Sequence, residues 1–259
     1  MTSPIHRSTD RFFLQQQAYA DSTKLRARAS IYAYRDPPGP IGPWVLGLVD
    51  WPEGGRAVDV GCGPGSYLSL LRELHPSVRA IGVDLSAGMA AEARQHAPTM
   101  NADTALLPVP DESVDRVLAP HMLYHCADIP AAIAELRRVL RSDGVLVAVT
   151  NAFDHLEELW DVHAAATGER PPLVSDRFNL TTGRAPLDAA FDEVRLERFE
   201  GAVAVPDAAV LVEYVASMQH FAGVDADEVL QQIGERVQRV IDDEGVFRIR
   251  TRSGAFVCR

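Results

Sequence analysis

One glycine-rich segment constrains the fold more than any other part of the sequence. Val58-Asp-Val-Gly-Cys-Gly-Pro-Gly65 joins a predicted strand, residues 56–60, to a predicted helix that begins at Ser66. Glycines at such a turn allow positive φ angles and a close approach of the backbone to a ligand. The free N–H groups at the start of the helix favour an anionic group there. The segment therefore predicts an α/β fold that binds a ligand at the end of this strand.

Short strands alternate with helices downstream of this segment. Strands are predicted at residues 56–60, 79–83, 114–118, 145–150, 193–199 and 246–258, the last with a hairpin or bend near Ser253-Gly254. Helices are predicted at residues 66–74, 87–95, 130–140 and 153–166. Strands that are separated by crossover helices favour a mainly parallel sheet that is covered on both faces.

Two regions lie outside this alternation. Residues 8–50 are predicted to form one long helix that ends near Tyr34, a break at Asp36-Pro-Pro-Gly-Pro40, and a short apolar helix at 44–49. Residues 168–190 are rich in loop residues, and helices are predicted at 207–221 and 226–243. These additions either pad the sheet or cover a site at the carboxyl ends of the strands, where ligands bind in open α/β sheets. The pattern leaves both roles open.

Composition limits the class of partner. The 259 residues carry a formal net charge of −11, and Lys24 is the only lysine among 25 basic residues, so the clustered cations that bind nucleic-acid phosphates are not expected. Cys62, Cys126 and Cys258 form no C-x-x-C pair, which favours a reducing cytoplasm over a disulfide framework. We recognise no signal peptide and no apolar run of about 18 residues. We therefore expect an acidic, cytoplasmic protein that acts on a small molecule, with neither nucleic acid nor membrane as partner.

Two carboxylates indicate which nucleotide the glycine-rich turn would bind. Asp84 ends the strand in Ile81-Gly-Val-Asp-Leu-Ser86, where a carboxylate can accept hydrogen bonds from both ribose hydroxyls. A dinucleotide fingerprint would need glycine or alanine at the position of Ser66. Asp59 adds a carboxylate before the first glycine, which suits a ligand that carries an ammonium group. The spacing therefore argues against a nicotinamide oxidoreductase.

These motifs resemble those of a known family. The segment 58–65 resembles motif I of the class I S-adenosylmethionine (SAM)-dependent methyltransferases, and Asp84 matches the acidic residue of their motif II. The stretches 101–108, 111–118 and 135–144 resemble later motifs of that family. The likeness covers about residues 50–155 and is greatest to UbiE-like, type 11 bacterial small-molecule methyltransferases, many of which act in secondary metabolism on natural products.

The resemblance implies an architecture and a cofactor. The fold would be α/β and Rossmann-like, with a seven-stranded, mostly parallel sheet, helices on both faces, and helical caps from the N-terminal and C-terminal regions. Residues 1–50 would form a helical lid, and residues 51–259 a methyltransferase domain with cap elements at about 168–243. The cofactor would be SAM, its product S-adenosylhomocysteine (SAH), and no metal is expected.

The resemblance also implies a cofactor site. Asp103 matches the position whose carboxylate accepts a bond from the adenine amine, Tyr19 would close over the methionine end, and Arg28 would pair with the methionine carboxylate. A packed tyrosine and a surface arginine are equally compatible with the pattern at these last two positions. The predicted cofactor-binding residues are Tyr19, Arg28, Asp59, Gly61, Cys62, Gly63, Gly65, Asp84, Leu85, Met89, Asp103, Thr104, Ala119 and Pro120.

In-line methyl transfer requires alignment, and a base only where the acceptor must lose a proton. The predicted catalytic residues are His121, Tyr124 and His125. Histidine titrates near neutral pH, which suits a general base, and a structural hydrogen-bonding role is the alternative for each histidine. The predicted substrate-binding residues are His121, His155, Trp160, Phe178, Tyr214 and Met218, with Phe221 beside them, although such spacing is equally typical of a core. A non-catalytic SAM-binding subunit of a biosynthetic complex is the alternative function, and a homo-oligomer is left open.

Overall fold

A mixed β-sheet forms the centre of the protein. The computed structural model describes residues 9–218 and 226–259, and within them the sheet has eight strands in the order β1-β7-β8-β6-β5-β2-β3-β4. Strands β2 to β6 pair in parallel, whereas β6–β8, β7–β8 and β1–β7 are antiparallel pairs. The strands are β1 Arg35–Asp36, β2 Arg56–Val60, β3 Arg79–Asp84, β4 Thr99–Asn101, β5 Val114–Pro120, β6 Leu140–Asn151, β7 Val194–Val205 and β8 Phe247–Cys258.

Helices cover both faces of the sheet. In the described ranges the α-helices are α1 Thr23–Ser30, α2 Ile41–Leu46, α3 Ser66–Leu74, α4 Ala87–Ala93, α5 Ile129–Val139, α6 Glu157–Thr167, α7 Arg184–Asp188, α8 Ala208–Ser217 and α9 Ala226–Glu244. Asp128 caps α5 by accepting a hydrogen bond from the N–H of Ala131 at 2.9 Å, and Pro130 lies in the first turn. Both features are typical of a helix start.

Three large apolar clusters and one small one bury the faces of these elements in the described ranges. One lies between the sheet and α5, with Val58, Val117 and Leu136 among its members. A second packs α2 and α3 against the opposite face. The third joins α6, α8 and α9 to the far ends of β7 and β8, and α1 also contacts α8. The predicted Rossmann-like architecture with helices on both faces is therefore confirmed.

The strand count differs from the expected seven. Of the strands absent from the sequence-based assignment, β4 has three residues and lies immediately after Pro98, and β1 has two residues that pair with β7. Segments this short carry no periodicity. β1 forms only because the chain that returns from α1 runs along the edge of β7, so its pairing depends on tertiary structure.

The long N-terminal helix predicted for residues 8–34 is wrong. The segment has a short helical turn, Arg11–Phe13, a π-helical turn, Leu14–Ala18, and an irregular stretch before α1 and the 3₁₀ turn Ile31–Tyr34. The Asp21 carboxylate accepts a hydrogen bond from the N–H of Thr23 at 2.8 Å. Such a local bond competes with helical pairing and gives α1 a separate start.

The C-terminal half differs in three details. Strand β8 runs unbroken through Ser253-Gly254 and pairs with β7 over its whole length, so the expected hairpin there is wrong. Helix α6 begins at Glu157 instead of residue 153, because the N–H of Leu156 donates to Arg250 O at 3.1 Å and holds the preceding residues against β8. The predicted end of the 207–221 helix, including Phe221, lies outside the described residues.

No helix in the described ranges is both long enough and apolar enough to cross a membrane.

Candidate active site

The glycine-rich segment forms the turn between β2 and α3. Gly61, Gly63 and Gly65 have φ angles of 67°, 54° and 91°, which glycine adopts without the steric penalty of a Cβ atom. A Cβ on Gly61 would lie 2.6 Å from Met122 Cβ. The N–H groups of Gly61 and Cys62 both donate to Val83 O, at 2.8 and 3.1 Å. The turn is therefore held against the end of the neighbouring strand β3.

The Asp84 carboxylate lies at the tip of β3 and faces this turn. Its Oδ2 accepts a hydrogen bond from the N–H of Gly63 at 2.8 Å, and its Oδ1 accepts one from the N–H of Ser86 at 2.7 Å. Burial raises the pKa of Asp84, while the two backbone N–H donors act in the opposite direction. Each carboxylate oxygen still has a second lone pair, so the group can accept further bonds from a ligand in the adjoining cavity.

Asp59 is a second carboxylate close to the turn, and it is fully buried. Neither carboxylate oxygen has a hydrogen-bond partner among the described residues. Burial, followed by repulsion from Asp84, raises the pKa of Asp59 well above its usual value. An unpaired buried carboxylate is costly, so a cationic group bound nearby would relieve this cost.

A cavity of about 970 Å³ opens in front of these residues. Most predicted site residues line it, namely Tyr19, Arg28, Gly61, Gly63, Asp84, Leu85, Met89, Asp103, Thr104, Pro120, His121, Tyr124, His125, His155, Trp160, Tyr214 and Met218. Asp59, Cys62, Gly65 and Ala119 lie behind this lining. Phe178 does not line the cavity either: it is 1% exposed and packs edge-to-face on Phe256 in the core. Its aromatic side chain completes the layer between the sheet and α5.

The residues that precede α1 cover the end of the cavity that adjoins Asp84. We call residues 9–22 the N-terminal strap. Gln15 Nε2 donates to Leu85 O at 2.9 Å, and the Ser86 hydroxyl donates to Tyr19 O at 2.6 Å. A Cβ on Gly88 would lie 1.9 Å from Ala20 O. The strap therefore rests on the start of α4, directly after Asp84.

The two lid residues predicted at the N-terminal end meet over the cavity. The Tyr19 hydroxyl and His125 Nε2 are hydrogen-bonded at 2.8 Å, and the Arg28 guanidinium lies 5.3 Å from the centre of the Tyr19 ring. Arg28 Nη1 donates to Ser217 O at 3.2 Å, whereas its buried Nη2 has no partner among the described residues. This nitrogen is available for an anionic group of a ligand.

Asp103 lies at the opposite edge of the cavity. One carboxylate oxygen accepts from the N–H of Ala105 at 2.8 Å and caps the 3₁₀ turn Thr104–Leu106. The other forms an ion pair with Arg11 of the strap at 3.1 Å. Each oxygen of the Asp103 carboxylate thus has one partner within the protein, but the side chain still lines the cavity.

Two histidines, the half-buried His121 and the buried His155, lie at the end of the cavity that is remote from Asp103. Burial lowers the pKa of His121 to about 4 and that of His155 to about 3, so both imidazoles are neutral at physiological pH. His155 Nε2 is hydrogen-bonded to the Tyr32 hydroxyl at 2.9 Å, and its Nδ1 contacts the backbone of Arg252. His121 has a φ of 55°, and its imidazole forms no hydrogen bond within the described ranges.

Sequence reasoning missed several polar residues at this remote end. Tyr32, Arg35, Tyr67, Asn151 and Ser253 all line the cavity. Tyr32 continues the helical face that carries Arg28, at an interval of four residues, which was the one available signal. Arg35 lies beyond the helical turns, in the extended strand β1. Asn151 and Ser253 come together only because β6 and β8 pair.

The fold and this arrangement define a class of protein. A glycine turn after the first parallel strand and an acidic residue at the tip of the next one are the arrangement with which Rossmann-like sites bind a nucleoside. The unpaired Asp59 carboxylate and the unpaired Arg28 nitrogen match a ligand that also carries an ammonium and a carboxylate group, as SAM does. Across the described ranges, no cluster of acidic, histidine or cysteine residues could hold a metal ion.

Comparison with known proteins identifies the family. A methyltransferase domain family matches residues 58–148. The chain is 30% identical over 183 residues to the trans-aconitate 2-methyltransferase of Variovorax paradoxus, covering 66% of this chain and 70% of that protein. The chain belongs to the class I SAM-dependent methyltransferases, in the UbiE-like, type 11 group, and the cofactor of this family is SAM.

Other relatives match a smaller part. The malonyl-[acyl-carrier protein] O-methyltransferase of Serratia marcescens is 35% identical over 133 residues, which are 50% of this chain and 51% of that protein. The chain thus spans about half the length of this relative. Phosphoethanolamine N-methyltransferase 2 of Haemonchus contortus, solved with SAH, has a TM-score of 0.58 at 16% identity and covers 97% of this chain and 59% of that one. This likeness concerns the fold alone.

Proposed function

We propose that the protein transfers a methyl group from SAM to a small-molecule acceptor. The observation that carries the proposal is the Asp84 carboxylate, which is oriented by the N–H groups of Gly63 and Ser86 beside a cavity of about 970 Å³. A cavity of this size is at the upper end of those that hold small ligands. It therefore has room for an acceptor beside the cofactor.

The cofactor site follows from the groups that lack partners. Asp84 would accept hydrogen bonds from the ribose hydroxyls, and Asp103 from the adenine amine. Arg28 Nη2 would pair with the methionine carboxylate, and Asp59 would offset the charge of its ammonium group through the turn that lies between them. Tyr19, hydrogen-bonded to His125, would close the site over the methionine end.

The catalytic groups have modest tasks. When bound, SAM supplies a methyl group on a sulfonium, so that the new bond to carbon forms as the carbon–sulfur bond breaks and its electron pair stays on sulfur. The His121 imidazole is neutral and forms no hydrogen bond with any described residue, and it would accept the proton of a hydroxyl, amine or acidic carbon on the acceptor. Tyr124 and His125 would hold the acceptor and exclude water.

The acceptor would occupy the remote end of the cavity. His155, Trp160, Tyr214 and Met218 line that end and present mainly apolar surface. Residues 1–50 would act as the lid, and the cap elements at about 168–243 as the wall. A natural-product intermediate as acceptor and the cytoplasm as location belong to the same proposal and rest on the sequence resemblance and the cysteine content.

Binding and transfer are tested separately. Calorimetry should detect binding of SAM and SAH but not of NAD, and failure of both sulfur nucleosides to bind would refute the proposal. Incubation with methyl-labelled SAM and a panel of small acids, phenols and amines should then give a labelled product. His121→Ala should retain SAH binding and lose turnover. The control is His75→Ala, because His75 lies beside Trp51 outside the cavity; this variant should retain both SAH binding and turnover. SAH binding with no transfer to any acceptor would favour the non-catalytic alternative.

A further inference from the structure

Arg35 has no partner for its charge in the described part of the chain. Its guanidinium forms no ion pair and no hydrogen bond there, and its buried Nη2 is unsatisfied. The guanidinium stacks on the face of the Phe199 ring, 4.0 Å from the ring centre. An arginine keeps its charge at physiological pH, so this is an uncompensated cation at the wall of the cavity.

The acidic residues nearest to Arg35 in the sheet pair with other arginines. Asp36, its neighbour in β1, accepts a hydrogen bond from Arg248 Nη2 at 2.7 Å. Glu200 on the adjoining strand β7 lies 3.6 Å from Arg198. Both nearby carboxylates are therefore already paired with another arginine, and neither compensates the charge of Arg35.

The sheet leaves room for this guanidinium. Gly201 in β7 lies beneath it, and a Cβ there would be 3.2 Å from Arg35 Nη2 and 3.6 Å from Thr251 Oγ1. The Thr251 hydroxyl is also buried without a partner in the described ranges. Two buried hydrogen-bond donors thus adjoin Gly201 next to the cavity wall that Arg35 forms, and neither has an acceptor among the described residues.

Among the described residues, no carboxylate lines the remote end of the cavity beside Arg35. The carboxylates that line the cavity are Asp84, Asp103 and Asp128, all on or after strands β3 to β5. Strands β5 and β3 are four and six positions from β1 in the sheet order, which at the usual strand spacing is on the order of 20–30 Å. His155 and Tyr32, which lie closer to Arg35, form a neutral pair.

We infer that the methyl acceptor carries a carboxylate, and that Arg35 binds it at the end of the cavity remote from Asp84. This inference rests on the proposed function and adds the substrate class to it. A guanidinium presents two parallel N–H groups that match the two oxygens of a carboxylate. Arg28 already faces the place proposed for the methionine carboxylate, so Arg35 is the cation that remains for the acceptor. Arg35 is a specificity residue, which anchors the acceptor away from its reacting atom.

The test compares acids with amides of the same shape. Benzoate with benzamide, and glutarate with glutaramide, are titrated into the protein with and without SAH, and binding is followed by calorimetry and thermal shift. We expect each acid to bind about tenfold more tightly than its amide, as for a charge-assisted pair. Arg35→Met should abolish this preference without changing SAH affinity, because it keeps a stem that packs on Phe199.

Two further variants complete the design. Arg35→Lys keeps the positive charge but lacks the two parallel N–H groups of the guanidinium, and should retain a reduced preference for acids. This result would exclude misfolding as the reason why Arg35→Met loses the preference. Arg195→Met removes an exposed arginine of β7 that pairs with Glu197 outside the cavity, and should bind like the wild type. Equal binding of acids and amides by the wild type, or an unchanged preference in Arg35→Met, would overturn the inference. If SAH fails to bind but the Arg35-dependent preference persists, the proposed function fails and the anion site stands.

Discussion

At the scale of single residues, the two buried carboxylates near the glycine turn differ in their surroundings. Asp84 accepts two backbone hydrogen bonds, whereas Asp59 accepts none from the described residues. Two carboxylates of one motif therefore have different energetic roles. The backbone N–H groups orient the Asp84 carboxylate, whereas the unpaired, buried Asp59 carboxylate destabilises the ligand-free fold.

Asp84→Asn tests the first of these roles. The asparagine side chain has one acceptor oxygen and one NH₂ donor in place of two acceptor oxygens. The NH₂ group must therefore face the N–H of either Gly63 or Ser86, so that two donors oppose each other. We expect SAM to bind at least about tenfold more weakly, as for the loss of a hydrogen bond to a charged group. Calorimetry measures this, with the exposed Asp192→Asn as control. Unchanged affinity would refute the role of Asp84.

Asp59→Asn should change stability and binding in opposite directions. Because the folded pKa of Asp59 lies above its ordinary value of 3.8, the folded state binds more protons than the unfolded state above that pH. The stability of the wild type therefore falls as pH rises from about 4 through the folded pKa. The variant removes this loss.

We expect the free energy of unfolding of the ligand-free Asp59→Asn protein at pH 7 to exceed that of the wild type, and its SAM affinity to be lower. Urea denaturation at pH 5, 6 and 7 provides the first measurement, and calorimetry the second. A variant that is less stable than the wild type at pH 7 would show that Asp59 has a partner in the folded state.

At the scale of elements, the N-terminal strap depends on a close approach between backbones. Gly88 in α4 leaves space for Ala20 O. On the same side of α4, Glu92 accepts a hydrogen bond from the N–H of Ser22 at 3.1 Å. The strap is thus attached to one short helix, so its position and the position of Asp84 are coupled through the loop that links β3 to α4.

Gly88→Ala should displace the strap and leave the sheet intact. The new Cβ would lie 1.9 Å from Ala20 O, a distance that forces the strap away, while alanine itself favours the helix by about 0.5–1 kcal/mol. We expect a several-fold loss of SAM affinity and faster proteolysis within residues 9–22, with thermal stability retained.

Gly47→Ala is the matched control for this substitution. Its Cβ would be 3.4 Å from Pro43 O, which is an ordinary contact. This variant should match the wild type in proteolysis and SAM affinity. If Gly88→Ala also behaves like the wild type, the strap does not contribute to cofactor binding.

At the scale of the whole molecule, the cavity lies between the sheet and the helical cap, and its remote end is closed by groups from distant parts of the chain. Tyr32 follows α1, His155 precedes α6, and Arg252 lies in β8. His155 is 6% exposed. Protonation of this histidine would place a charge inside the contact between sheet and cap, so the stability of the whole fold depends on its remaining neutral.

His155→Gln should make the protein less sensitive to acid. The folded pKa of His155 is lowered from 6.5 to about 3 by burial, so between these values the unfolded state binds more protons, and stability is lost as pH falls below 6.5. At pH 5 this contribution is about 2 kcal/mol. We expect the difference in unfolding free energy between pH 7 and pH 5 to be smaller in His155→Gln by about that amount, as measured by urea denaturation. An identical pH dependence would refute the contribution of His155.

The conformation of the glycine turn and the position of Asp84 could be predicted from the sequence because they depend on local features of the chain. The positive φ angles of Gly61, Gly63 and Gly65 and the strand that precedes them are encoded within ten residues, and the motif spacing carries Asp84 to the next strand tip. The predicted long N-terminal helix was wrong for the opposite reason, since Tyr19 and Ser22 bond to α4 and its N-terminal loop, residues far along the chain.

The sequence alone determined the alternation of strands and helices, the glycine turn and the family, because periodicity, glycine conformation and motif spacing act over short stretches of chain. Tertiary structure alone decided which charges remain without partners. Arg35 is one of many arginines in the sequence, and its isolation follows from the pairing of Asp36 with Arg248 and of Glu200 with Arg198. Ion pairs depend on distances between strands that are remote in sequence, and therefore the acceptor end of the cavity could be described only from the folded chain.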